Sequence, residues 1–543
     1  MSASSRFAAE QLLFTPAVPT EDAVRIIYAF PNTYAVGITS LGYQMIWSML
    51  AVRRDVEVAR LFTDLHEPLP QSPDLLGFSF SWELDYGHIL TLLEDQGIPI
   101  HSHARAESDP LIFGGGPVLT ANPEPFATFF DLILMGDGEG LVDELISAYQ
   151  DCRSATRQQK LERLAQVQGV YVPSFYKPIY SAEGEPLASM QPLSPEIPAQ
   201  IQKRTFRGNT LSASTVVTPH AAWENIYMVE VVRSCPEMCR FCLASYLTLP
   251  FRTAAIEDHL IPMVERGLLV TDRIGLLGAS VTQHPQFADL LVYLNQDRFD
   301  GVRLSLASVR TATVTPELTS LLHRRGVRSI TVAIESGSER LRQVINKKLP
   351  QADILQAAVA AEAGGLVAMK FYGMVGIPGE TEADLEATVD IFRQLKKVAP
   401  KLRYTLGCST FVPKAQTPFQ WYGVDPKSEK KLKGLARSLG KLGIEFRPES
   451  HNWSLIQALI SRGDRQVSRV LEQARGYGDS LSSYKRAFKD LRGQVPPLDY
   501  YVHSTWSDDA ILPWGHLRGG LAPERLVQHR QEAAAIMDGP VPV

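Results

Sequence analysis

Residues 231–243 read VVRSCPEMCRFCL. Three of the chain's five cysteines, Cys235, Cys239 and Cys242, fall within these residues, spaced C-x3-C-x2-C. A structural zinc site closes with four nitrogen or sulfur ligands, and a fourth thiol is missing here. Three thiolates and an open position suit a reactive metal centre, and soft sulfur ligands suit an iron–sulfur cluster. The run NIYMVEVVRS leads into the cysteines, so they sit at the carboxyl end of a strand. In (β/α) barrels that end carries the chemistry.

The surrounding residues extend this pattern. Between 225 and about 412, the β-type runs RIGLLGAS, VRLSLASV, SITVAIES and MKFYGMVGIP alternate with helical patterns such as TPELTSLLHRRG and QADILQAAVAAEAGG. At least five consecutive βα units predict an incomplete TIM-type barrel. A second alternating region precedes it, with runs at 24–30, 74–81, 110–117 and 131–140, each followed by glycines or a helix. It reads as a parallel sheet of Rossmann type whose glycines lie at the ligand-binding edge. The expected fold class is therefore α/β. A Rossmann-like domain spans 1–150 and a proline-rich linker 151–222, with a few strands. A partial (β/α)6 barrel spans 223–425 and a mainly helical region 426–543.

Bulk composition excludes several classes. The 543 residues are 45% hydrophobic and 21% charged, with a net charge of −5. That balance gives no general attraction to nucleic acid or an anionic membrane. The basic helix at 427–441 leaves room for an RNA or acidic partner, but a solvated face explains it as well. MSASSRFAAEQLLF has no secretory pattern, and no apolar run reaches the roughly 18 residues that span a bilayer. The cysteine pattern is no disulfide framework, so a reducing cytoplasm is the expected compartment. Cys152 and Cys408 stand alone in sequence and read as small buried hydrophobes.

The cysteine triad, with Phe241 before the last cysteine, resembles the radical S-adenosylmethionine superfamily. That resemblance implies a [4Fe–4S] cluster held by Cys235, Cys239 and Cys242, with S-adenosylmethionine on the fourth iron. It implies reductive cleavage to a 5′-deoxyadenosyl radical, fed by an external electron donor such as flavodoxin or ferredoxin. It also implies cofactor-binding roles along the strand ends. Gly278 and Ser280 lie where the family has a GGE-like turn, here without its glutamate. Ser305, Ser308 and Arg310 follow the next strand, and Arg310 is suited to a carboxylate. Glu335 is placed for the ribose hydroxyls. Gly376, in GMVGIPGET, is placed for close approach of adenine to the backbone.

The N-terminal region resembles cobalamin-binding domains in register. Asn32 to Gly37 stand at the D-x-H-x-x-G motif; a 41-residue spacer, Ser79-Phe80-Ser81, a 32-residue spacer and Gly114-Gly115-Gly116 follow. Tyr34 replaces the axial histidine, and a neutral phenol is a poor substitute for imidazole. Either cobalamin binds without a protein ligand, or only the fold is kept. Stretches such as ESGSERLRQVINK, FVPKAQTPFQW and DDAILPWGHL resemble a group of radical S-adenosylmethionine proteins with such an N-terminal domain and no settled reaction. Three functions follow from these resemblances. The first is a radical enzyme, with cobalamin-dependent methylation as one form. The second is a methylthiotransferase on tRNA or a ribosomal protein, opposed by the lack of any cysteine before Cys152. The third is a non-catalytic iron–sulfur sensor.

Overall fold

The computed structural model describes residues 3–307, 309–478 and 480–539. Its first layer is a six-stranded sheet. The strands are β1 (Val24–Ala29), β2 (Val56–Leu61), β3 (Leu75–Ser79), β4 (Leu111–Gly115), β5 (Leu132–Leu134) and β6 (Val170–Tyr171). Their order is β2-β1-β3-β4-β5-β6, parallel except for β6. The runs IIYA, LLGFS and LIL are buried along their whole length, as strands covered on both faces must be. Helices α1 (Leu41–Ala51), α2 (Tyr86–Asp95) and α3 (Leu141–Asp151) connect them. Strand order reverses between β1 and β3, and open sheets of this type bind ligands at that switch point. Because β6 completes the sheet, this layer continues past residue 150.

The segment that follows is a strap. A hairpin, Tyr176–Tyr180 with Leu187–Pro192, precedes two short pairings, Val216–Val217 with Gln11–Leu12 and Ile201–Gln202 with Leu517–Arg518. Sequence-distant ends are thereby tied together.

The second layer is an open barrel. Strands β7 (Ile226–Glu230), β8 (Arg273–Leu277) and β9 (Arg303–Leu306) form one parallel set. Strands β10 (Ser329–Glu335), β11 (Ala368–Val375), β12 (Arg403–Thr410) and β13 (Glu445–Pro448) form the next. The expected six strands are present, and β13 adds a seventh from the region expected to be mainly helical. Helices α4 (Pro316–Arg324), α5 (Gln351–Ala363), α6 (Glu382–Val398) and α7 (Ser428–Lys441) cover part of the outside. The sequence TEAD starts α6 through a capping box: the Thr381 side chain and Asp384 satisfy each other's backbone donors. In α7, the basic helix, Lys431 pairs with Glu380 at 2.7 Å and Asp425 at 2.8 Å, and Lys433 pairs with Glu429 at 2.6 Å.

The C-terminal helices do not stand apart. Ile456, Leu459, Val470, Leu471, Trp506 and Trp514 share one core with the first sheet. Arg465 reaches across to Glu124 at 2.9 Å. The last helix, α8 (Pro523–Asp538), packs instead on the barrel, against the short helix Glu339–Val344. No helix among the described residues is long and apolar enough to cross a membrane.

Candidate active site

The loop after β7 carries the three cysteines. Ser234 and Met238 take positive φ values of 72° and 55°, which bend the chain on either side of Cys235. The loop's polar groups are pinned from two sides. Asn346 and Tyr246 both donate to the Met238 carbonyl, each at 2.9 Å. Arg240 donates to the carbonyls of Gln343 and Val344 at 3.0 and 2.8 Å and pairs with Glu532 of α8 at 2.9 Å. Phe241 packs on the apolar cluster of Leu341, Ile345 and Phe411. A loop bonded this way holds its thiols in place before any metal arrives.

All three cysteines line one cavity of about 280 Å³, together with Glu237, Phe241, Ser280, Arg310, Glu335, Lys347 and Lys348. Among the described residues, no three or more His, Cys, Asp or Glu side chains are grouped to hold a single ion. The three thiols share one cavity wall. Cysteine thiolates are the ligands that hold iron–sulfur clusters. Burial pushes the Cys239 thiol up to about 12 and raises Cys242 too. Cluster iron would supply the positive charge that a thiolate at such a place needs. The residues present fit a [4Fe–4S] cluster.

The remaining expected residues divide. Phe241, Ser280, Arg310 and Glu335 line the cavity. Arg310 pairs with Glu237 through its guanidinium. Glu335, at φ 64°, pairs with Lys347 at 3.2 Å. Gly278 lies elsewhere: its φ is 148°, an added Cβ would meet the Val232 carbonyl oxygen at 2.6 Å, and it lines a second chamber. Ser305 is exposed and lines neither cavity, since its strand position turns it away. Gly376 is also outside the cavity. Its φ is 75°, and an added Cβ would meet Ser428 Oγ at 2.2 Å, so it serves a tight turn against α7. Ser308 lies outside the described residues.

Two residues escaped the sequence reading. Glu237 sits inside the cysteine motif itself. Its Oε1 accepts from Arg310 and from Gln283 Nε2 at 2.6 Å, while Oε2 is buried without a partner. Burial works to raise this carboxyl, yet Arg310 and Gln283 hold it below its usual range. Lys347, at the end of ESGSERLRQVINK, faces Cys239 and Glu335; burial opposes its charge, but those partners keep its pKa raised. The signal available for both was charge inside an otherwise recognisable motif.

The second chamber lies between the first sheet and the barrel. It measures about 460 Å³ and is lined from β1 and β3 (Tyr28, Phe78, Ser79), from α1 (Met45, Ile46) and from the β7 and β8 ends (Arg233, Gly278). Ala244 and Ala279 line both spaces, so the two cavities adjoin. The Ser79–Ser81 edge and Gly115-Gly116 border this chamber, as the register of cobalamin-binding domains implies. Tyr34 does not. It is fully buried, packs edge-on against Phe7 and Phe62, and donates from its hydroxyl to Glu10 at 2.6 Å. Asn32 bonds Asp85 at 3.1 Å. The residues present do not fit a corrinoid held by a protein axial ligand.

Comparison with known proteins agrees with this layout. Residues 24–173 match the family model "Radical SAM proteins, N-terminal", and residues 229–392 match "Radical SAM superfamily". An uncharacterized protein of Methanocaldococcus jannaschii is 28% identical over 466 residues, which cover 85% of this chain and 94% of that protein. The tRNA-2-methylthio-N(6)-dimethylallyladenosine synthase of Geobacillus thermodenitrificans is 25% identical over 184 residues, only 34% of that enzyme. Among solved structures, the radical S-adenosylmethionine methyltransferase TsrM of Kitasatospora setae, with tryptophan substrate and a S-adenosylmethionine analog bound, superposes with a TM-score of 0.51 at 14% identity. The match covers 95% of this chain and 90% of TsrM, and at that identity the likeness is one of fold. Family models over both layers identify the chain as a radical S-adenosylmethionine enzyme of that superfamily.

Proposed function

We propose that Cys235, Cys239 and Cys242 each bind one iron of a [4Fe–4S] cluster and that the adjoining cavity receives S-adenosylmethionine. The observation that carries this is the convergence of three loop thiols on a single cavity that also holds fixed charges of both signs. Together the cofactors supply reductive cleavage of the sulfonium C–S bond, which yields a 5′-deoxyadenosyl radical able to abstract hydrogen. The chain's own residues bind and orient. Glu237 Oε2 has no protein partner, and a carboxylate oxygen of that kind suits the cofactor's amino group. It would stand in for the glutamate missing from Gly278-Ala279-Ser280. Lys347, held by Glu335, sets a positive charge beside the thiols that favours a carboxylate. Phe241, Val309 and Leu349 line the cavity with apolar surface and exclude water. An external one-electron donor such as flavodoxin or ferredoxin, in a reducing cytoplasm, completes the reading.

Anaerobic reconstitution with iron and sulfide tests it. The wild-type chain should show [4Fe–4S] absorbance and, under reduction, release 5′-deoxyadenosine from S-adenosylmethionine. The triple Cys235→Ala, Cys239→Ala, Cys242→Ala variant should do neither. A variant that retains the cluster spectrum would overturn the ligand assignment. Methylthiotransferase activity has less support, because no cysteine before Cys152 is available for a second triad. A sensor role has less support too, since it needs no cavity beside the thiols.

A further inference from the structure

We infer that the chamber between the two layers is a substrate site for an apolar molecule bearing an N–H donor, an amine or a nitrogen heterocycle, bonded at Glu139. Glu139 belongs to the loop after β5, Gly136-Asp137-Gly138-Glu139-Gly140, at the carboxyl edge of the first sheet. That loop meets the end of β7 through Arg233. The guanidinium of Arg233 contacts Asp137 at 3.2 Å, Glu139 at 2.8 Å and Glu230 at 2.7 Å. Asp137 has a second cation, Arg252, at 2.6 Å, and accepts from the Phe206 amide at 2.8 Å. Glu230 accepts from the Ser212 amide at 3.1 Å. Three carboxylates thus share two guanidinium groups, and two of the three also take backbone donors.

Glu139 is the one left short. Its Oε2 is buried and accepts from no protein group, while its other oxygen leans on Arg233. A buried carboxylate oxygen without a donor is costly, so this one suits a donor brought by a ligand. The one nearby cation with no carboxylate, Lys203, is spoken for: its Nζ donates to the carbonyls of Leu247 and Leu249 at 2.7 and 3.1 Å, and burial lowers its pKa to about 8. Much of the wall is apolar, with Tyr28, Met45, Ile46, Phe78, Phe113 and Leu277, and polar side chains such as Ser79, Ser81, Ser212 and Thr248 interrupt it. A chamber of about 460 Å³ suits a small molecule, and in a wall with large apolar parts an unpaired polar atom is what fixes a ligand's orientation. Its position is also productive. Only Ala244 and Ala279, two small side chains, are shared with the cysteine cavity, so a bound molecule would abut the space proposed for S-adenosylmethionine.

This inference rests on the radical enzyme reading for its chemistry, but its test is binding at equilibrium and needs no cofactor cleavage. The full-length chain, reconstituted with its cluster, is titrated with 4-phenylbutylamine and, separately, with 4-phenylbutyrate, each followed by thermal shift and ligand-observed NMR. The amine should bind and the acid should not. Glu139→Gln keeps the shape and removes the charge, and should weaken the amine about tenfold or more. A second variant guards against misfolding. Gly42 of α1 lines the chamber, and a Cβ there meets nothing within 4 Å. Gly42→Leu should fill the space and abolish amine binding without lowering the Tm of the free protein, since leucine favours a helix over glycine. Equal binding of acid and amine, or an unchanged amine affinity in Glu139→Gln, would overturn the proposal. So would hydroxocobalamin that stays bound through gel filtration and displaces the amine. Loss of S-adenosylmethionine cleavage with amine binding intact would instead count against the enzyme reading alone.

Discussion

Two loops at carboxyl ends of strands differ in what became of their ligand positions. After β7, the cysteine loop is bonded along its backbone, and its thiols still line a cavity. After β1, the loop at 30–37 has drawn its key side chain into the core. Tyr34 is 0% exposed, and its hydroxyl belongs to a buried network. In that network Arg60 grips both oxygens of Glu10 at 2.9 and 2.8 Å, reaches Glu67 at 2.7 Å and lies 3.9 Å over the Trp47 ring. A motif's register can therefore survive when its ligand does not. In the first sheet the spacing serves the strands and turns, whereas the cysteine loop presents its thiols to a cavity.

The sharpest way to break this comparison is to remove the hub of the buried network. Arg60→Met leaves Glu10, only 3% exposed, without its ion-pair partner. Breaking one side of a buried ion pair costs about 3–5 kcal/mol. Urea denaturation followed by far-UV circular dichroism should show that loss, while cluster content per folded molecule stays at the wild-type level. A stable Arg60→Met chain would mean that the first loop is not locked.

Tyr34→His asks whether the histidine of cobalamin-binding domains can act at this position. The imidazole loses the bond to Glu10 and the edge contacts with Phe7 and Phe62. A loss of about 3 kcal/mol is expected, with no gain of corrinoid binding. If the variant retains hydroxocobalamin after gel filtration, the loop can swing out, and the contrast between the two loops fails.

A third test probes the C-terminal clamp that completes the first core. Burial pushes the Asp464 carboxyl up to about 6, although Tyr501 donates to it at 2.9 Å. In the unfolded chain it titrates near 3.9. Between about pH 4 and 6 the folded protein holds a proton that the unfolded one releases, so stability falls as pH rises through that window. Asp464→Asn removes the effect. At pH 7 the variant should be about 2–3 kcal/mol more stable than wild type, and the gap should close towards pH 4. A gap that is the same at both pH values would show that the carboxyl titrates normally.

Much of this was legible in the residues. Continuous apolar runs such as LLGFS predict strands covered on both faces, and the cysteine spacing after NIYMVEVVRS predicts a site at a strand end. The split between cavity and packing was not legible. Ser280 and Gly278 are two residues apart, yet they line different cavities, because the backbone at Gly278 turns against Val232. Glu237 was hidden because its partners, Gln283 and Arg310, come from other strand ends. The sharing of one core by residues near 456–471 and the first sheet was hidden too, since only folding brings such distant segments together.

Gly376 gives the finest test, because turn and cofactor roles predict different readouts. Its φ of 75° lies in the left-handed region, where an L side chain costs about 1–2 kcal/mol. The added Cβ of Gly376→Ala would also strike Ser428 Oγ, a buried hydroxyl with no partner of its own. The single variant should therefore lose about 2 kcal/mol in urea denaturation. Adding Ser428→Ala removes the struck atom and leaves the backbone strain and a tight contact with Asp425 Cβ, so about half of the loss should return. Neither variant should change the KM for S-adenosylmethionine, because the glycine is outside the cysteine cavity. A raised KM with unchanged stability would restore Gly376 to the cofactor site. It would also show that the cavity beside the thiols extends along the end of β11 towards α7.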